Sequence, residues 1–469
     1  MNETIKRFIA GEKPDAPFTI DIDGKVYRCD QVLRWLPGRR LVVKASHDND
    51  VWLLKLFAPG RRGRRELLRE QQGYQRCRTA GIAVPELRLS SDRFAGCYAV
   101  AYDFINEARP FSLSPENLAR QLRALLDLMA QCHMAGIYQQ DIHTDNILET
   151  DDGLYLIDVG AVKGQTGGAL TANKSLKNLA LLVAQFTPEQ QSLVLQHVSH
   201  YFQARGWAFG PVEHTAFKSR VDKAWQKRKN HYLTKCFRPC TMTVYRKDSK
   251  LEYAFRRSFF QQMGEEAVRH LDSLVQSGEV LKAGNSATVV QTQLAGRSVV
   301  IKRYNIKSAW HFFKRCWRPS RAANAWRQGQ MLELVGIATP KVWGFVEHRI
   351  GPLRKQAFLI SDYINEADEL SHVYMRQSPS ENELGQIQRI FTLMQAYRLS
   401  HGDLKASNFM LSRQGKVELI DLDAMKEHRC RWTFQRAFSK DQQRFLANWQ
   451  NRALQARFES IMTETVLKS

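Results

Sequence analysis

The residues best suited to chemistry lie in one stretch of the second half, residues 401–425, with the sequence HGDLKASNFMLSRQGKVELIDLDAM. Phosphoryl transfer needs a carboxylate beside the attacking hydroxyl and oxygen ligands that hold Mg²⁺ on the nucleotide phosphates. Asp403 is placed to accept the hydroxyl proton, and Asn408 follows where a tight loop can turn it onto the metal. Two short predicted strands around the turn at 414–415 would bring Asp421 back beside Asn408. The pattern therefore predicts a phosphoryl-transfer site.

The same spacing occurs again in the first half of the chain, in YQQDIHTDNILETDDGLYLIDVGAV. Asp141 and Asn146 are separated like Asp403 and Asn408, and Asp158 follows a predicted turn at residues 151–153. A lone aspartate and asparagine at this spacing usually belong to an ordinary polar loop. Three agreeing residues in each of two loops favour a functional site.

Other segments recur in the same order, which indicates that one folding unit occurs twice. GIAVP at 81–85 returns as GIATP at 336–340, and DFINEA returns as DYINEA. Lys55, in LLKLF, has its counterpart in Lys302, in VVIKRY. The distance between counterparts grows steadily, from 247 residues at the lysines to 263 residues at the last aspartates. A duplicated domain with a few insertions in its second copy produces such a series.

These residues need strands and helices that bring them together. Segment 40–57 predicts a hairpin that turns at 48–50, with Lys55 inside its second strand. A basic helix is predicted over 61–81, with Glu70 in its interior.

Further helices complete both copies. One is predicted to begin at Ser114 as the capping residue, with Pro115 in its first turn. Segments 171–235 and 433–469 predict amphipathic helices that close the first and second copy. We place the boundary near residue 240, so the predicted domains are 1–240 and 241–469.

The composition is that of an ordinary globular chain with a strong positive charge. Of 469 residues, 43% are hydrophobic and 25% charged, and the formal net charge is +22. This length exceeds one ordinary core, so two domains are expected. The charge indicates polyanionic partners such as nucleotide phosphates, anionic lipid or nucleic acid. No apolar run approaches the ~20 residues of a membrane span, which predicts a cytosolic or peripheral membrane protein.

The order of a strand lysine, a helix glutamate, the D-x-x-x-x-N loop and a further aspartate resembles the protein-kinase-like superfamily. More narrowly, IKRYN, RPSRAANAWRQGQMLELVGIATP, HGDLKASNFML and LIDLDAM are similar to bacterial lipopolysaccharide core kinases, the Kdo and heptose kinase family. The resemblance spans nearly all of 275–446 and, more loosely, 38–182. It implies an α+β fold of two tandem protein-kinase-like domains, each with a small β-rich N-lobe and a mainly helical C-lobe.

The same resemblance implies function and roles. It implies ATP and Mg²⁺ as cofactors, a heptose or Kdo of the lipopolysaccharide inner core as acceptor, and a cytoplasmic, peripheral position on the inner membrane. Lys55 and Lys302 would hold the α- and β-phosphates, and Glu70 would orient Lys55 as its charged partner. The catalytic bases would be Asp141 and Asp403, and the metal ligands Asn146, Asp158, Asn408 and Asp421.

The second copy departs from the pattern at the helix glutamate. Glu70 lies eleven residues before Gly81, but the residue eleven before Gly336 is Ala325. We therefore expect Lys302 to lack its charged partner and the first copy to have the more conventional geometry. By the same reasoning, Ala325→Glu should raise the activity of the second copy.

The first copy departs from the pattern in its loop. Gln139 and His143 stand where the second copy has His401 and Lys405, which predicts a weaker contact with the transferred phosphate. Neither copy carries a glycine-rich G-x-G-x-x-G nucleotide loop. No A-P-E follows either final aspartate, which argues against a protein kinase with a regulated activation loop.

Two other functions stay open at this point. An inactive kinase-like pair would serve as a basic binding module at a membrane, although its catalytic positions should then be damaged, and they are intact. An aminoglycoside- or choline-type small-molecule kinase would share the loop chemistry but lack the RPSRA and AWR segments.

The surface charge predicts the partners. Arginines at 61–65 and basic residues at 314–321 are candidates for contact with an anionic membrane surface or with core phosphates. We expect no nucleic-acid partner, because neither a reading helix nor an aromatic stacking pattern occurs in the sequence.

Overall fold

The computed structural model of the protein describes residues 3–94, 96–165, 168–305 and 319–467. They form two compact units, unit 1 (Met1–Gln226) and unit 2 (Lys227–Ser469). Both units mix helices with antiparallel sheets, so the fold class is α+β. The sequence places the domain boundary near residue 240, and the compact units divide after Gln226, inside a long helix.

Unit 1 begins with a six-stranded antiparallel sheet in the order β1-β2-β3-β4-β6-β5. The predicted hairpin is present, and Asp48 and Asn49 form its turn with left-handed φ angles of 49° and 70°. Lys55 lies in β4 between Val42 of β3 and Val100 of β6, in the interior of the sheet. The strands are β1 (Phe18–Ile22), β2 (Lys25–Leu36), β3 (Arg40–His47), β4 (Asp50–Phe57), β5 (Leu87–Phe94) and β6 (Cys97–Asp103).

The helices of unit 1 cover this sheet and then build a second core. Leu67 and Cys77 of α2 join Phe57 and Val100 of the sheet in one buried cluster. The helix predicted from Ser114 starts later, because Pro115 opens a 3₁₀ turn and the Ser114 side chain makes no cap. The helices are α1 (Glu3–Ala10), α2 (Arg61–Thr79), α3 (Leu118–Met134), α4 (Ala172–Val183), α5 (Pro188–His197) and α6 (Ser199–Ala204), followed by α7 (Pro211–Lys235), whose last residues belong to unit 2.

Short strands carry the predicted loop residues of unit 1. The hairpin β9–β10 pairs Thr150 with Gly153, and this reversal returns the chain towards the loop before β9. These strands are β7 (Arg109–Pro110), β8 (Ile137–Gln139), β9 (Ile147–Thr150), β10 (Gly153–Leu156) and β11 (Val162–Gly164).

Unit 2 contains a seven-stranded antiparallel sheet in the order β12-β13-β17-β18-β16-β15-β14. Within it, β15-β16-β18-β17 repeats the order of β3-β4-β6-β5 in unit 1. Lys302 lies in β16 between Val289 and Leu359. The strands are β12 (Thr243–Lys247), β13 (Leu251–Arg256), β14 (Glu279–Ala283), β15 (Ala287–Leu294), β16 (Arg297–Tyr304), β17 (Val342–Ile350) and β18 (Leu353–Asp362).

The remaining strands of unit 2 are short, and its helices carry clear end signals. Ser320 caps the Arg321–Val335 helix through the Ala323 N–H, and Gly336 ends it with φ 83°. The short strands are β19 (Ala367–Glu369), β20 (Leu399–Ser400), β21 (Phe409–Ser412), β22 (Val417–Leu419) and β23 (Lys426–Glu427). The helices are α8 (Arg257–Met263), α9 (Glu266–Arg269), α10 (Leu271–Ser277), α11 (Arg321–Val335), α12 (Leu370–Val373), α13 (Glu381–Ala396), α14 (Arg431–Leu446) and α15 (Arg452–Leu467). Across the described residues, no helix combines the length and apolarity needed to cross a bilayer.

Candidate active site

In unit 1, the sheet lysine and the helix glutamate meet in the interior. Lys55 Nζ lies 2.9 Å from Glu70 Oε1 and 3.3 Å from Asp158 Oδ1. The side chains of Lys55 and Glu70 are only 8% and 2% exposed. The Tyr102 hydroxyl donates to the other oxygen of Glu70, Oε2, at 2.9 Å, which fixes the carboxylate in its plane. The predicted residues Lys55, Glu70 and Asp158 therefore form one buried cluster.

Close packing between α2 and the turn after Asp158 brings these groups together. A Cβ atom at Gly73 of α2 would lie 1.9 Å from the Val159 carbonyl oxygen, so only glycine allows this approach. Asp158 itself has φ 56° and ψ 48°, a left-handed conformation that is uncommon for a residue other than glycine. This conformation directs the chain into a 3₁₀ turn over Val159–Ala161.

The charges in the cluster support one another. Burial alone would lower the pKa of Lys55, but the Glu70 and Asp158 carboxylates outweigh it and raise that pKa. Burial would raise the pKa of Asp158, but the Lys55 and Arg40 cations outweigh it and lower that pKa. Lys55 and Asp158 therefore stay charged at neutral pH.

The loop of unit 1 is connected to this cluster by hydrogen bonds of the Gln139 side chain. The Gln139 amide donates to the Ile157 and Asp158 carbonyl oxygens at 3.1 and 3.2 Å. Asn146 donates to Gln139 Oε1 at 3.2 Å and to the Asp141 carbonyl oxygen at 3.1 Å. The Asp141 side chain is 91% exposed, with His143 Nε2 3.6 Å from its Oδ1. Asp141 is thus open to a hydroxyl from solvent, and its backbone is held by the side chain of Asn146.

A cleft of about 260 Å³ opens beside these residues, lined by both signs of charge. Its walls include the carboxylates of Glu70, Asp141 and Asp158. The cations that line it are Arg39, Arg40, Arg69 and Lys163. Arg39 lies in the turn after Gly38, and Arg40 is the first residue of β3. These arginines belong to no motif that would mark them as site residues in the sequence.

Unit 2 holds its lysine in a different way. Lys302 Nζ lies 2.6 Å from Asp421 Oδ1 and 2.8 Å from Asp423 Oδ2. The Tyr304 hydroxyl donates to the other oxygen of Asp423, Oδ1. The expectation that Lys302 lacks a charged partner is therefore wrong, because Asp423 supplies the carboxylate that Ala325 cannot. The expectation that Ala325→Glu raises the activity of the second copy rested on the missing partner, so it no longer holds.

The electrostatics of this cluster follow the same rules. Burial would lower the pKa of Lys302, but Asp423 and Asp421 outweigh it and raise that pKa. Burial would raise the pKa of Asp421, but Lys302 outweighs it and lowers that pKa. Burial raises the pKa of Asp423, which Lys302 only partly offsets.

The loop of unit 2 matches that of unit 1 in its connections. His401 Nε2 bonds the Ile420 carbonyl oxygen at 2.9 Å, as the Gln139 amide does at Ile157. Asn408 donates to the Asp403 carbonyl oxygen at 2.7 Å, and Asp421 has the left-handed φ of 60° seen at Asp158. In both units a side chain two residues before the loop aspartate, Gln139 or His401, therefore donates to the backbone carbonyl just before the left-handed aspartate.

Two residues that sequence reasoning missed complete the loop of unit 2. Asp441 of α14 accepts from the backbone N–H groups of His401 and Gly402 at 2.6 and 3.0 Å. Arg444, one turn later, lies 2.9 Å from Asp403 Oδ1, and Lys405 Nζ lies 3.2 Å from Asp403 Oδ2. Both α14 residues follow the loop by about 40 positions in sequence, so no local pattern connects them with it.

The oxygen donors fit a magnesium ion that also binds nucleotide phosphates. The Nδ2 groups of Asn146 and Asn408 donate to backbone carbonyls, which leaves each Oδ1 as a free acceptor for a cation. Within the described ranges, no cluster of three or more His, Cys, Asp or Glu side chains has metal-binding geometry. One carboxylate and one amide oxygen per unit suit Mg²⁺, which keeps several waters and takes further ligands from phosphates. A structural metal held by protein alone would need more ligands.

Comparison with known proteins finds a family match over part of the chain. Residues 273–460 match the lipopolysaccharide kinase (Kdo/WaaP) family. The matched segment contains Lys302, Asp403, Asn408 and Asp421 together with Asp423. No curated protein matches the chain.

Proposed function

We propose that this protein is an ATP- and Mg²⁺-dependent kinase that phosphorylates a heptose or Kdo hydroxyl of the lipopolysaccharide inner core. The observation that carries the proposal is the cluster of Lys302, Asp421 and Asp423 beside the Asp403–Asn408 loop, inside the segment that matches a lipopolysaccharide kinase family. The family supplies the substrate class, and the cluster supplies groups suited to phosphoryl transfer.

Each group has a role in the proposed reaction. Lys302 binds the α- and β-phosphates of ATP, and Asp403 accepts the proton of the sugar hydroxyl. The hydroxyl oxygen forms a bond to the γ-phosphorus while the bond from that phosphorus to the ADP oxygen breaks. Asn408 and Asp421 would hold Mg²⁺, which neutralises charge on the phosphate oxygens when bound. Arg444 and Lys405 keep the Asp403 carboxylate in place through contacts of 2.9 and 3.2 Å.

We propose the same chemistry for unit 1. Lys55 and Glu70 bind and orient the phosphates, Asn146 and Asp158 would hold Mg²⁺, and Asp141 acts as base. The cations Arg39 and Arg40 substitute for a glycine-rich loop, since guanidinium groups bind phosphate oxygens directly. The shared strand order and the matching loop contacts support a tandem duplication of one kinase-like domain.

We also propose a peripheral position on an anionic membrane, where the lipopolysaccharide precursor would be reached. Trp432 at the start of α14 is 65% exposed, and the guanidinium of Arg436 lies over its ring at 5.8 Å. The exposed cations around it are Arg429, Arg431, Arg436 and Lys440. We call these residues and Trp432 the Trp432 patch. Aromatic and basic side chains together favour the headgroup region of an anionic bilayer.

The basic clusters predicted from the sequence contribute unevenly to this proposal. Arg61, Arg62, Arg64 and Arg65 are exposed in the first turn of α2. Of the second cluster, Lys314, Arg315 and Arg318 lie outside the described residues.

The test is transfer from labelled ATP to core oligosaccharide that lacks phosphate, with the product mapped by mass spectrometry. We expect Asp141→Asn and Asp403→Asn each to remove part of the transfer and the double variant to remove all of it. A positioned base contributes about 10²- to 10⁴-fold, so the loss in each unit should be large. Asp127→Asn on α3, which pairs with His200 away from the site, is the matched control.

Label on protein or aminoglycoside but never on core sugar would refute the proposed substrate. Nucleotide binding without any transfer in the presence of Mg²⁺ would favour the inactive binding module instead. If Asp403→Asn abolished all transfer and Asp141→Asn changed nothing, unit 1 would be a scaffold.

A further inference from the structure

The two units hold their lysines with carboxylates from different places in the chain. In unit 1 the carboxylate is Glu70, in the middle of α2. In unit 2 the matching position of α11 is Ala325, which is fully buried and has no polar atom to offer. The carboxylate there is Asp423, two residues after Asp421 on a 3₁₀ turn, Leu422–Ala424.

The position that carries Asp423 is glycine in unit 1, for a steric reason. Gly160 lies two residues after Asp158, on the equivalent 3₁₀ turn. A Cβ atom on Gly160 would lie 2.8 Å from Glu70 Oε1 and 3.0 Å from its carboxyl carbon. Glu70 therefore occupies the space that a side chain at 160 would need. In unit 2 the short Ala325 side chain leaves the corresponding space to Asp423.

The hydroxyl that supports the carboxylate changes position as well. Tyr102 of β6 donates to Glu70 in unit 1, whereas Tyr304 of β16 donates to Asp423 in unit 2. The residue two after Lys55, where Tyr304 stands relative to Lys302, is Phe57. Four positions have thus changed together: Glu70, Gly160, Tyr102 and Phe57 correspond to Ala325, Asp423, Ser361 and Tyr304. In each unit, the lysine therefore contacts a partner carboxylate, and a tyrosine hydroxyl donates to that carboxylate.

We propose that Asp423 is the positioning residue for Lys302 in nucleotide binding, in the role that Glu70 has for Lys55. This inference rests on the proposed kinase function and extends it to the residue that orients the phosphate-binding lysine of unit 2. Among the described residues, the carboxylates that contact Lys302 are Asp421 and Asp423, at one turn and not on a helix. Helix α11 instead secures the turn through Asn324, whose amide donates to the Asp423 and Met425 carbonyl oxygens at 2.9 and 3.0 Å.

The proposal predicts different consequences of helix displacement in the two units. A shift of α2 would separate Glu70 from Lys55 and leave the lysine with Asp158. In unit 2 neither carboxylate contact of Lys302 comes from α11, so a shift of that helix would act on them only through the turn that Asn324 holds. Unit 2 therefore lacks the direct contact between helix and lysine that unit 1 has.

The experiment uses the full chain with unit 1 silenced in transfer by Asp141→Asn and in nucleotide binding by Lys55→Met. Binding of a non-hydrolysable ATP analogue, the KM for ATP and the KM for core oligosaccharide are measured for each variant. We expect Asp423→Asn to weaken nucleotide binding and raise the KM for ATP about 10- to 150-fold, the range for loss of one charged hydrogen bond. The KM for the sugar should change less than twofold.

Two further variants separate positioning from folding. Glu418→Gln is the matched control, because Glu418 is similarly buried and its Oε1 lies 2.8 Å from Lys416 Nζ, away from Lys302. Asp423→Gly should lose nucleotide affinity, and adding Ala325→Glu to it should restore much of that affinity by recreating the arrangement of unit 1. Ala325→Glu alone should lower affinity, because two carboxylates would then crowd one buried site.

Unchanged analogue binding in Asp423→Asn would overturn the inference, as would a double variant no better than Asp423→Gly alone. Either result leaves the proposed function intact if the parent protein still transfers phosphate to core sugar. If the parent transfers none, the proposed function fails while the binding measurements still decide the role of Asp423.

Discussion

Replacing Glu70 by glutamine tests the buried lysine pair of unit 1 with the smallest possible change in shape. Glutamine keeps an acceptor for the Tyr102 hydroxyl, which now donates to Glu70 Oε2 at 2.9 Å. It removes the negative charge that lies 2.9 Å from Lys55 Nζ. The substitution therefore isolates the charge of the pair from its packing.

The size of the effect follows from the burial of both partners. A hydrogen bond between charged groups contributes about 1.5 to 3 kcal/mol. The pair is almost wholly shielded from water, with side-chain exposures of 8% and 2%, so screening by solvent does not reduce it. Lys55 keeps Asp158 at 3.3 Å, so the loss should stay within that range. At 1.4 kcal/mol for each tenfold change, kcat/KM for ATP in unit 1 should fall about 10- to 150-fold.

The assay measures kcat/KM for ATP in an Asp403→Asn background, where transfer reports on unit 1. Glu149→Gln is the control, because Glu149 is also buried in unit 1 and accepts from Gln121 at 2.8 Å far along the chain from Lys55. We expect both variants to lose some thermal stability and only Glu70→Gln to lose affinity for ATP. A Glu70→Gln variant with kcat/KM within twofold of the parent would refute the reasoning that this pair positions the nucleotide.

Two further predictions concern pH and membranes. Burial lowers the pKa of His133 from 6.5 to about 4, so between these pH values the unfolded chain binds a proton that the folded chain does not. The free energy of unfolding should therefore fall by about 1.4 kcal/mol per pH unit from 6.5 towards 4. In denaturant titrations, His133→Gln should flatten this slope, and His200→Gln should leave it unchanged. Trp432→Ala should reduce co-sedimentation with anionic vesicles several-fold more than Met375→Ala, an apolar control that is even more exposed. High salt should weaken the binding of both variants, and equal loss in the two would argue against the Trp432 patch.

The loop residues and the lysines could be predicted because their spacing is local. Asp403 and Asn408 lie on one tight turn, and the hairpins at 48–49 and 414–415 carry residues that favour reversal. The left-handed φ angles of Asp158 and Asp421 have no such signal, since each aspartate follows an apolar segment, LYLI or VELI, that predicts a continuing strand. Tertiary packing around the 3₁₀ turns, not local preference, sets that conformation.

The outer strands could not be predicted for a similar reason. Residues 1–30 and 241–283 carry weak alternation, yet they add β1, β2 and β12–β14 to the two sheets. In β2 the pairing with β3 shifts register twice, between Cys29 and Gln31 and again between Val32 and Arg34. Each shift breaks the period of two on which a strand pattern depends.

Asp423 escaped prediction because the partner of Lys302 was expected at the same helix position as Glu70, eleven residues before the glycine that follows the helix. Counting from Gly336 finds Ala325, while the carboxylate that contacts Lys302 lies 121 residues away from it in sequence. The sequence did contain one signal, since D-L-D in unit 2 stands against D-V-G in unit 1. The significance of Gly160 becomes clear only from the structure, in which Glu70 fills the space that a side chain at 160 would need.

The same reasoning explains how two loops of different sequence reach one geometry. Gln139 and His401 both present a nitrogen to the carbonyl of the residue before the left-handed aspartate. Their backbones are held by opposite means: Asn178 donates to the Gln139 carbonyl, whereas Asp441 accepts from the His401 N–H. A substitution that copies one member of a set into the other unit therefore breaks a contact unless its partner changes too. The equivalence of the two units lies in which atoms are contacted, and it has to be tested by exchanging whole sets of residues.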